Sequence, residues 1–394
     1  MSISVAFLSG KGGSGKTTLA LSMADLLCRC GVKTLLVDCD LSTNGATYFY
    51  ESQINEWNNS HLVTVSSFSG ILSGRDGASM PIPLSVSQQL DFIPSISEIS
   101  REWTTETAIK ASGNAERRLD IFLDWTQFDS DYDVVLLDCQ AGHSEFLPVL
   151  LPRMDADLFV LEADSISASA MRSLHLKDGK YFGRARLYQV FNKATPEEFD
   201  IYSKIVGTFF TNIGTLRFDW KIRQAFSRSQ MPDLENFSAD FGMDLCEICN
   251  IIFQKSHIQE KVSNFADQLA YRGLEERRNE LEKKIDEEFS KSAERKETSV
   301  FAVSMFCGMI AAFMTGIALP TIAGLNVKQF LQEPYRFMII PTALASVLIC
   351  QIFSRMSRNE NIVTEKRKKR MAAEQELKRI NKELAGLRSK IEEI

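Results

Sequence analysis

Apolar runs and polar breaks divide this chain into two unlike parts. Over the first 255 residues, short and nearly continuous apolar runs recur at Ile3 to Leu8, Val32 to Val37, Leu90 to Pro94, Leu158 to Leu161 and Arg186 to Phe191. Another, Val134 to Leu137, is bracketed by Asp133 and Asp138. Runs of this length predict parallel strands buried on both faces. Helical spacing fills several of the gaps. It predicts helices over Thr17 to Cys30, Glu102 to Thr107 and Arg117 to Phe128, and one opened by the capping residues of Asp164 to Ser169. Strand and helix in alternation predict an α/β domain with a mostly parallel sheet and helices on both faces. Residues 51–88 read least clearly, because Ser, Gly and Pro punctuate several polar stretches.

Beyond Gln259 the pattern changes. Charges dominate to Lys296, while Val262, Phe265, Leu269, Leu281, Ile285 and Phe289 recur at helical spacing. This predicts a charged helical stalk that pairs with a copy of itself, or whose first half packs as the last helix of the preceding domain. Two uncharged segments follow, Val300 to Leu319 and Phe337 to Phe353, the first long enough to span a bilayer and the second interrupted by Pro341. Lys291, Arg295 and Lys296 precede them, Arg355, Arg358 and Lys366 to Arg370 follow, and the connection holds only Lys328 and Arg336. The expectation is an integral membrane protein with two spans and both termini cytoplasmic, in a bacterial inner membrane. The basic block after the second span suits anionic membrane lipid, and also serves as a plain topology signal. Ala373, Leu377, Ile380, Leu384, Leu387, Ile391 and Ile394 then form a coiled-coil seam of about three heptads. It could pair with its twin or with the stalk. The expected divisions are 1–255, an α/β nucleotide-binding domain; 256–298, the stalk; 299–355, two transmembrane helices; and 356–394, a basic juxtamembrane segment and short coiled coil.

Between the first apolar run and the first helix lies Gly10-Lys11-Gly12-Gly13-Ser14-Gly15-Lys16-Thr17-Thr18. Gly10, Gly15, Lys16 and Thr17 satisfy the phosphate-loop spacing. A polyphosphate must be wrapped by backbone N–H groups, which only closely approaching residues without Cβ atoms allow. The helix beginning near Lys16 points its partial positive charge at the same phosphates. Gly12 through Thr18 are therefore nucleotide-binding candidates. Lys16 would reach the β and γ oxygens of ATP, and the Thr17 hydroxyl would help hold Mg2+. A strand ending in an acid, Val134 to Asp138, fits the partner strand whose aspartate bonds a water on Mg2+. Asp38 and Asp40 close another strand, where an α/β sheet places groups for metal and water.

Composition narrows this further. The chain has 394 residues, 44% hydrophobic, with a net charge of −6, so no nucleic-acid partner is expected. Its eight cysteines are scattered and suggest no disulfide framework. Cys246 and Cys249 form a single C-x-x-C, read first as a buried helix face. A zinc site shared between two copies stays open.

The run KGGSGKTT resembles the deviant phosphate loop of the ParA/MinD ATPases. That resemblance makes Lys11 the signature lysine, which reaches phosphates bound by the other subunit, so the active unit would be an ATP-dependent homodimer or higher homo-oligomer. Asp40-Leu41-Ser42-Thr43-Asn44-Gly45-Ala46-Thr47 resembles the family's first switch, with Leu41-Ser42 where the family carries proline and glutamine. It makes Asp40 the residue that positions the attacking water, and Asp38 a metal-side group. Gln140-Ala141-Gly142 resembles the second switch, in which Gly142 follows the γ-phosphate. His143 beside it reads as a polar switch or surface residue. Asn192 matches the asparagine that contacts adenine. Asp219 matches a later base-side aspartate, although Phe218 stands where the family carries proline. The resemblance covers residues 1–255.

By resemblance, the chain is an ATPase, hydrolysing ATP to ADP and phosphate. It is expected to act as a membrane-anchored switch whose dimerisation drives assembly or positioning of a protein partner. The alternative is a membrane effector whose hairpins cluster into a pore or disrupting assembly; Gly308, Ala311, Ala312, Thr315 and Gly316 permit such contacts. A bacterial tyrosine kinase would carry C-terminal tyrosines, whereas the last tyrosine here is Tyr335. A membrane-protein targeting ATPase resembles the chain at Gly142-His143-Ser144 and Cys246-x-x-Cys249, but such proteins are soluble shuttles.

Overall fold

The structure is a computed structural model that describes residues 2–97, 109–110, 113–182, 185–206, 209–231, 239–287, 365 and 367–392. Eight strands form one sheet: β1 (Ile3–Leu8), β2 (Thr34–Cys39), β3 (Leu84–Ser87), β4 (Leu90–Ile93), β5 (Val134–Cys139), β6 (Ala156–Glu162), β7 (Arg186–Asn192) and β8 (Thr211–Leu216). Their order is β3-β4-β2-β5-β1-β6-β7-β8, and every pairing is parallel except β3 with β4. The helices are α1 (Lys16–Arg29), α2 (Gly45–Phe49), α3 (Glu51–Ser60), α4 (Phe68–Ser73), α5 (Ala115–Asp124), α6 (Leu147–Leu150), α7 (Ser165–Asp178), α8 (Pro196–Val206), α9 (Trp220–Phe226) and α10 (Ala239–Ile252).

The apolar runs become strands because each feeds two cores at once. On β1, Val5 and Phe7 join one buried cluster and Ala6 and Leu8 the other. On β5, Val134 and Leu136 face one way and Val135 and Leu137 the other. Alternate side chains of a strand leave opposite faces, so a strand covered on both sides must be apolar throughout. The expected mostly parallel α/β sheet with helices on both faces is present. Cys246 and Cys249 lie in the core on α10. The stretch 51–88, opaque in sequence, holds α3, α4 and the antiparallel edge strand β3. Its signals are masked because α4 is only 6 residues long and β3 only 4.

The expected two-span membrane placement needs correction. Among the described residues, no helix is long and apolar enough to cross a membrane. The long described helices at 257–287 and 367–392 are charged along their exposed sides. The segments 300–319 and 337–353 lie outside the described residues, as do Glu102 to Thr107, Pro232, the end of the stalk and Lys366.

Two compact units divide at Ala270 and Tyr271. In the second, the Arg277 guanidinium donates to Glu376 at 2.6 Å, and Arg388 interacts with Tyr271. The order of these pairs makes the helical segment 271–287 and the helix 367–392 run in opposite directions. The positions Ala373, Leu377, Ile380, Leu384, Leu387 and Ile391 are among the shielded ones, with Ile380 and Leu384 buried.

Candidate functional site

The site forms where β1 ends. The chain leaves Leu8, turns through residues 9–15 and enters α1 at Lys16. Gly13 and Gly15 adopt φ of 83° and 87°, in the left-handed region that favours glycine. A Cβ on Gly15 would overlap the Asn192 amide nitrogen. One on Gly10 would lie 2.6 Å from the Ala170–Met171 peptide of α7. Sequence spacing and tertiary packing thus demand the same glycines.

Lys16 is buried, and its ammonium pairs with Asp138 Oδ1 at the end of β5. Burial opposes its charge, but the Asp138 charge and hydrogen bond, with Asp40 behind them, hold Lys16 above the ordinary lysine range. Asp138 Oδ2 is buried without a hydrogen-bond partner. In register with Asp138 on the neighbouring strand is Asp38. It accepts from the Thr47 amide and hydroxyl at 2.9 and 2.8 Å and from the Asp40 amide at 3.0 Å. Burial, and then the neighbouring Asp138 carboxylate, push Asp38 up to about 7.

Asp40 closes a turn on itself. Its carboxylate accepts from the Ser42 amide and hydroxyl at 3.0 and 2.8 Å, and from the Thr43 amide and hydroxyl at 2.9 and 2.7 Å. Burial pushes this carboxyl up, but those hydrogen bonds and the Lys16 charge outweigh it and hold it below the usual range. Leu41-Ser42 therefore serve a purpose here, since Ser42 supplies two of the four donors.

A cavity of about 690 Å3 opens over the loop, lined at one end by Gly12 through Thr18, Asp40 and Thr43, and at the other by Asn192, Arg217, Phe218, Asp219 and Arg223. Asn192 donates to the Ser14 carbonyl at 2.9 Å, and Asp219 caps α9 by accepting from the Lys221 amide at 2.7 Å. The structure thus gathers Gly12, Gly13, Ser14, Gly15, Lys16, Thr17, Thr18, Asp40, Asn192 and Asp219 around one space. Asp38 and Asp138 stand behind it. Gly142, at φ 75°, lies next to the lining residue Ala141 and donates its amide to the Ser9 carbonyl at 2.8 Å.

Lys11 does not line the cavity. Its ammonium meets Asp164 at 2.9 Å and Glu162 at 3.2 Å, and Lys193 holds the other oxygen of Glu162 at 2.9 Å. The hydrogen bond to Asp164 is the largest cause raising Lys11 above its ordinary value. Glu162, Asp164 and Arg217 escaped sequence reasoning. Of these, only Asp164 gave a signal, as a helix cap.

The donor set fits a magnesium-bound nucleoside triphosphate. Left-handed glycines expose amides, Lys16 and Thr17 meet the same space, and a buried carboxylate oxygen waits without a partner.

Residues 2–175 match the family described as AAA domain. No curated protein matches the chain. Among solved structures, the MinC:MinD cell division protein complex of Aquifex aeolicus is similar at 16% identity and TM-score 0.50, over 64% of this chain and 96% of that one. A putative plasmid partition protein of Borrelia burgdorferi bound to AMPPNP is similar at 17% identity and TM-score 0.49, over 63% and 98%. MinD of Pyrococcus horikoshii, complexed with Mg-ADP, is similar at 17% identity and TM-score 0.45, over 68% and 98%. The amino-terminal unit has the α/β fold seen in the MinD of the Aquifex aeolicus complex.

Proposed function

We propose that this chain is an ATP- and Mg2+-dependent ATPase switch of the ParA/MinD type, its nucleotide domain spanning residues 1–255 and followed by a charged helical stalk over 256–298. ATP binding closes a homodimer, and hydrolysis reopens it to drive assembly or positioning of a protein partner. The observation that carries this reading is Lys16, buried at the mouth of a glycine-lined loop with Asp138 as its counter-ion. A buried lysine is costly unless paired. One pairing that a polyphosphate could replace is what a phosphate-binding lysine needs.

On binding, Lys16 exchanges Asp138 for the β and γ oxygens, and the amides of Gly13 to Lys16 take the remaining phosphate oxygens. Thr17 and Asp138 would hold Mg2+, with Asp38 behind them. The metal, when bound, supplies positive charge against the phosphoryl oxygens. Asp40 orients the attacking water, which requires the Asp40–Thr43 turn to open first, because all four of its hydrogen bonds are made within that turn. Lys11 crosses to the other subunit after leaving Glu162 and Asp164. That exchange is inexpensive because the pair is partly exposed.

The test is calorimetric titration of the full chain with ATP, ADP and GTP, with and without Mg2+, together with phosphate release. Magnesium-dependent ATP binding with slow release of phosphate supports the reading. Absence of nucleotide binding at millimolar concentration rejects it.

A further inference from the structure

Helix α7 is fastened to the nucleotide loops at three points along about 21 Å of its length. At its first turn, the capping residue Asp164 holds Lys11. In its middle, Gly10 packs so closely beneath the Ala170–Met171 peptide that no side chain fits. Its last residue, Asp178, takes the ring of His143 at 3.1 Å. The first two fastenings belong to the phosphate loop, whereas the third belongs to the segment that carries Gly142.

The Asp178 pairing stands out physically. A carboxylate is poorly placed at a helix C-terminus, where the backbone carbonyls already present negative charge. Asp178 is also only 3% exposed, so it draws less help from water. Two groups answer it: the His143 ring, whose Nδ1 lies at hydrogen-bond distance, and the Lys180 ammonium on the following turn. His143 is itself 56% exposed in its side chain, so its own burial does not fix its position. Its neighbour Gly142 sits in a left-handed conformation with its amide given to the Ser9 carbonyl. Two adjacent residues therefore strap this loop, one to Ser9 at the start of the phosphate loop and one to α7.

We propose that His143 is a positioning residue: its bond to Asp178 sets the resting place of the Gly142 amide, and so the cost of presenting that amide to a terminal phosphate. The inference rests on the nucleotide reading above. A γ-phosphate that draws the Gly142 amide from Ser9 must strain or break the His143–Asp178 bond. A diphosphate leaves the bond alone. The pair thus acts as a latch biased toward the diphosphate state, and through α7 it makes the loop at 140–143 and the phosphate loop move together.

The experiment compares the affinities of the full-length chain for ADP and for a non-hydrolysable ATP analogue, in wild type, His143→Ala, His143→Asn and Asp178→Asn. Hydrogen bonds to charged groups are large enough that His143→Ala should tighten analogue binding about tenfold. ADP affinity should stay within about twofold. His143→Asn keeps an N–H donor and should restore the wild-type ratio. Asp178→Asn combined with His143→Ala should add nothing to His143→Ala alone. Equal shifts for both nucleotides, or none for either, overturn the latch while leaving the nucleotide reading intact. Failure of the wild-type chain to bind either nucleotide overturns both.

Discussion

Two aspartates flank β1, and water reaches neither. Asp138 on β5 lies in register with Phe7, and Asp157 on β6 with Ala6, so they face opposite sides of the sheet. Asp138 ends its strand beneath the phosphate loop and meets the Lys16 ammonium, with one oxygen left unpartnered. Asp157 sits near the start of its strand, and both its oxygens lack partners. Burial pushes the Asp157 carboxyl well above the ordinary range, so it stays protonated where Asp138 keeps a counter-ion. The same residue type at the same depth thus has two fates. At Asp138 the cost of burial sustains a lysine aimed at a ligand; at Asp157 it is a plain liability.

The largest effect expected from this contrast is at Lys16. Lys16→Ala leaves the buried Asp138 charge without its counter-ion and should cost about 3–5 kcal/mol in urea unfolding. It should also abolish nucleotide binding by calorimetry. The opposite sign is expected on the other side of β1. Asp157→Val removes a buried polar group that no partner satisfies, and should stabilise the protein by about 1–3 kcal/mol.

That gain should depend on pH in a definite direction. The folded Asp157 holds its proton more tightly than the unfolded chain, which ionises near pH 4. Below that value the two states bind the same proton, and the group contributes no pH dependence. As pH rises above about 4 the unfolded state loses its proton first, so wild-type stability falls. The stability gap between Asp157→Val and wild type should therefore widen from about pH 4 upward, and a constant gap would mean the native carboxyl ionises normally. The smallest effect is at the exposed pair. Asp164→Asn weakens the Lys11 bridge but keeps a capping side chain, and should change stability by less than about 1 kcal/mol.

The same contrast marks how far the sequence could be read. Asp138 was legible because an apolar strand ending in an acid carries a chemical meaning beside a phosphate loop. Asp157 was not, because its burial depends on β1, β7 and the helices above them, all distant in sequence. The phosphate end of the cavity was legible for a related reason: residues 10–18 are contiguous, and backbone geometry dictates their types. Its far end draws on residues 192 and 217–223 from separate elements, so spacing alone could not assemble it. The direction of Lys11, turned toward Glu162 and Asp164, was equally invisible, since its partners lie some 150 residues away, at separations such as 153. Residues 51–88 hid a 6-residue helix buried along nearly its whole length and a 4-residue edge strand, both too short to give a periodic signal.

The central claim, that nucleotide state sets assembly state, is tested most directly by the subunit count of the full-length chain in sedimentation with ATP and with ADP. Wild type, Lys11→Ala and Asp40→Ala should all be compared. The account predicts that Asp40→Ala locks into a larger species with ATP alone, that wild type passes through it, and that Lys11→Ala never reaches it. One fixed oligomer for all three, whatever the nucleotide, would contradict the account.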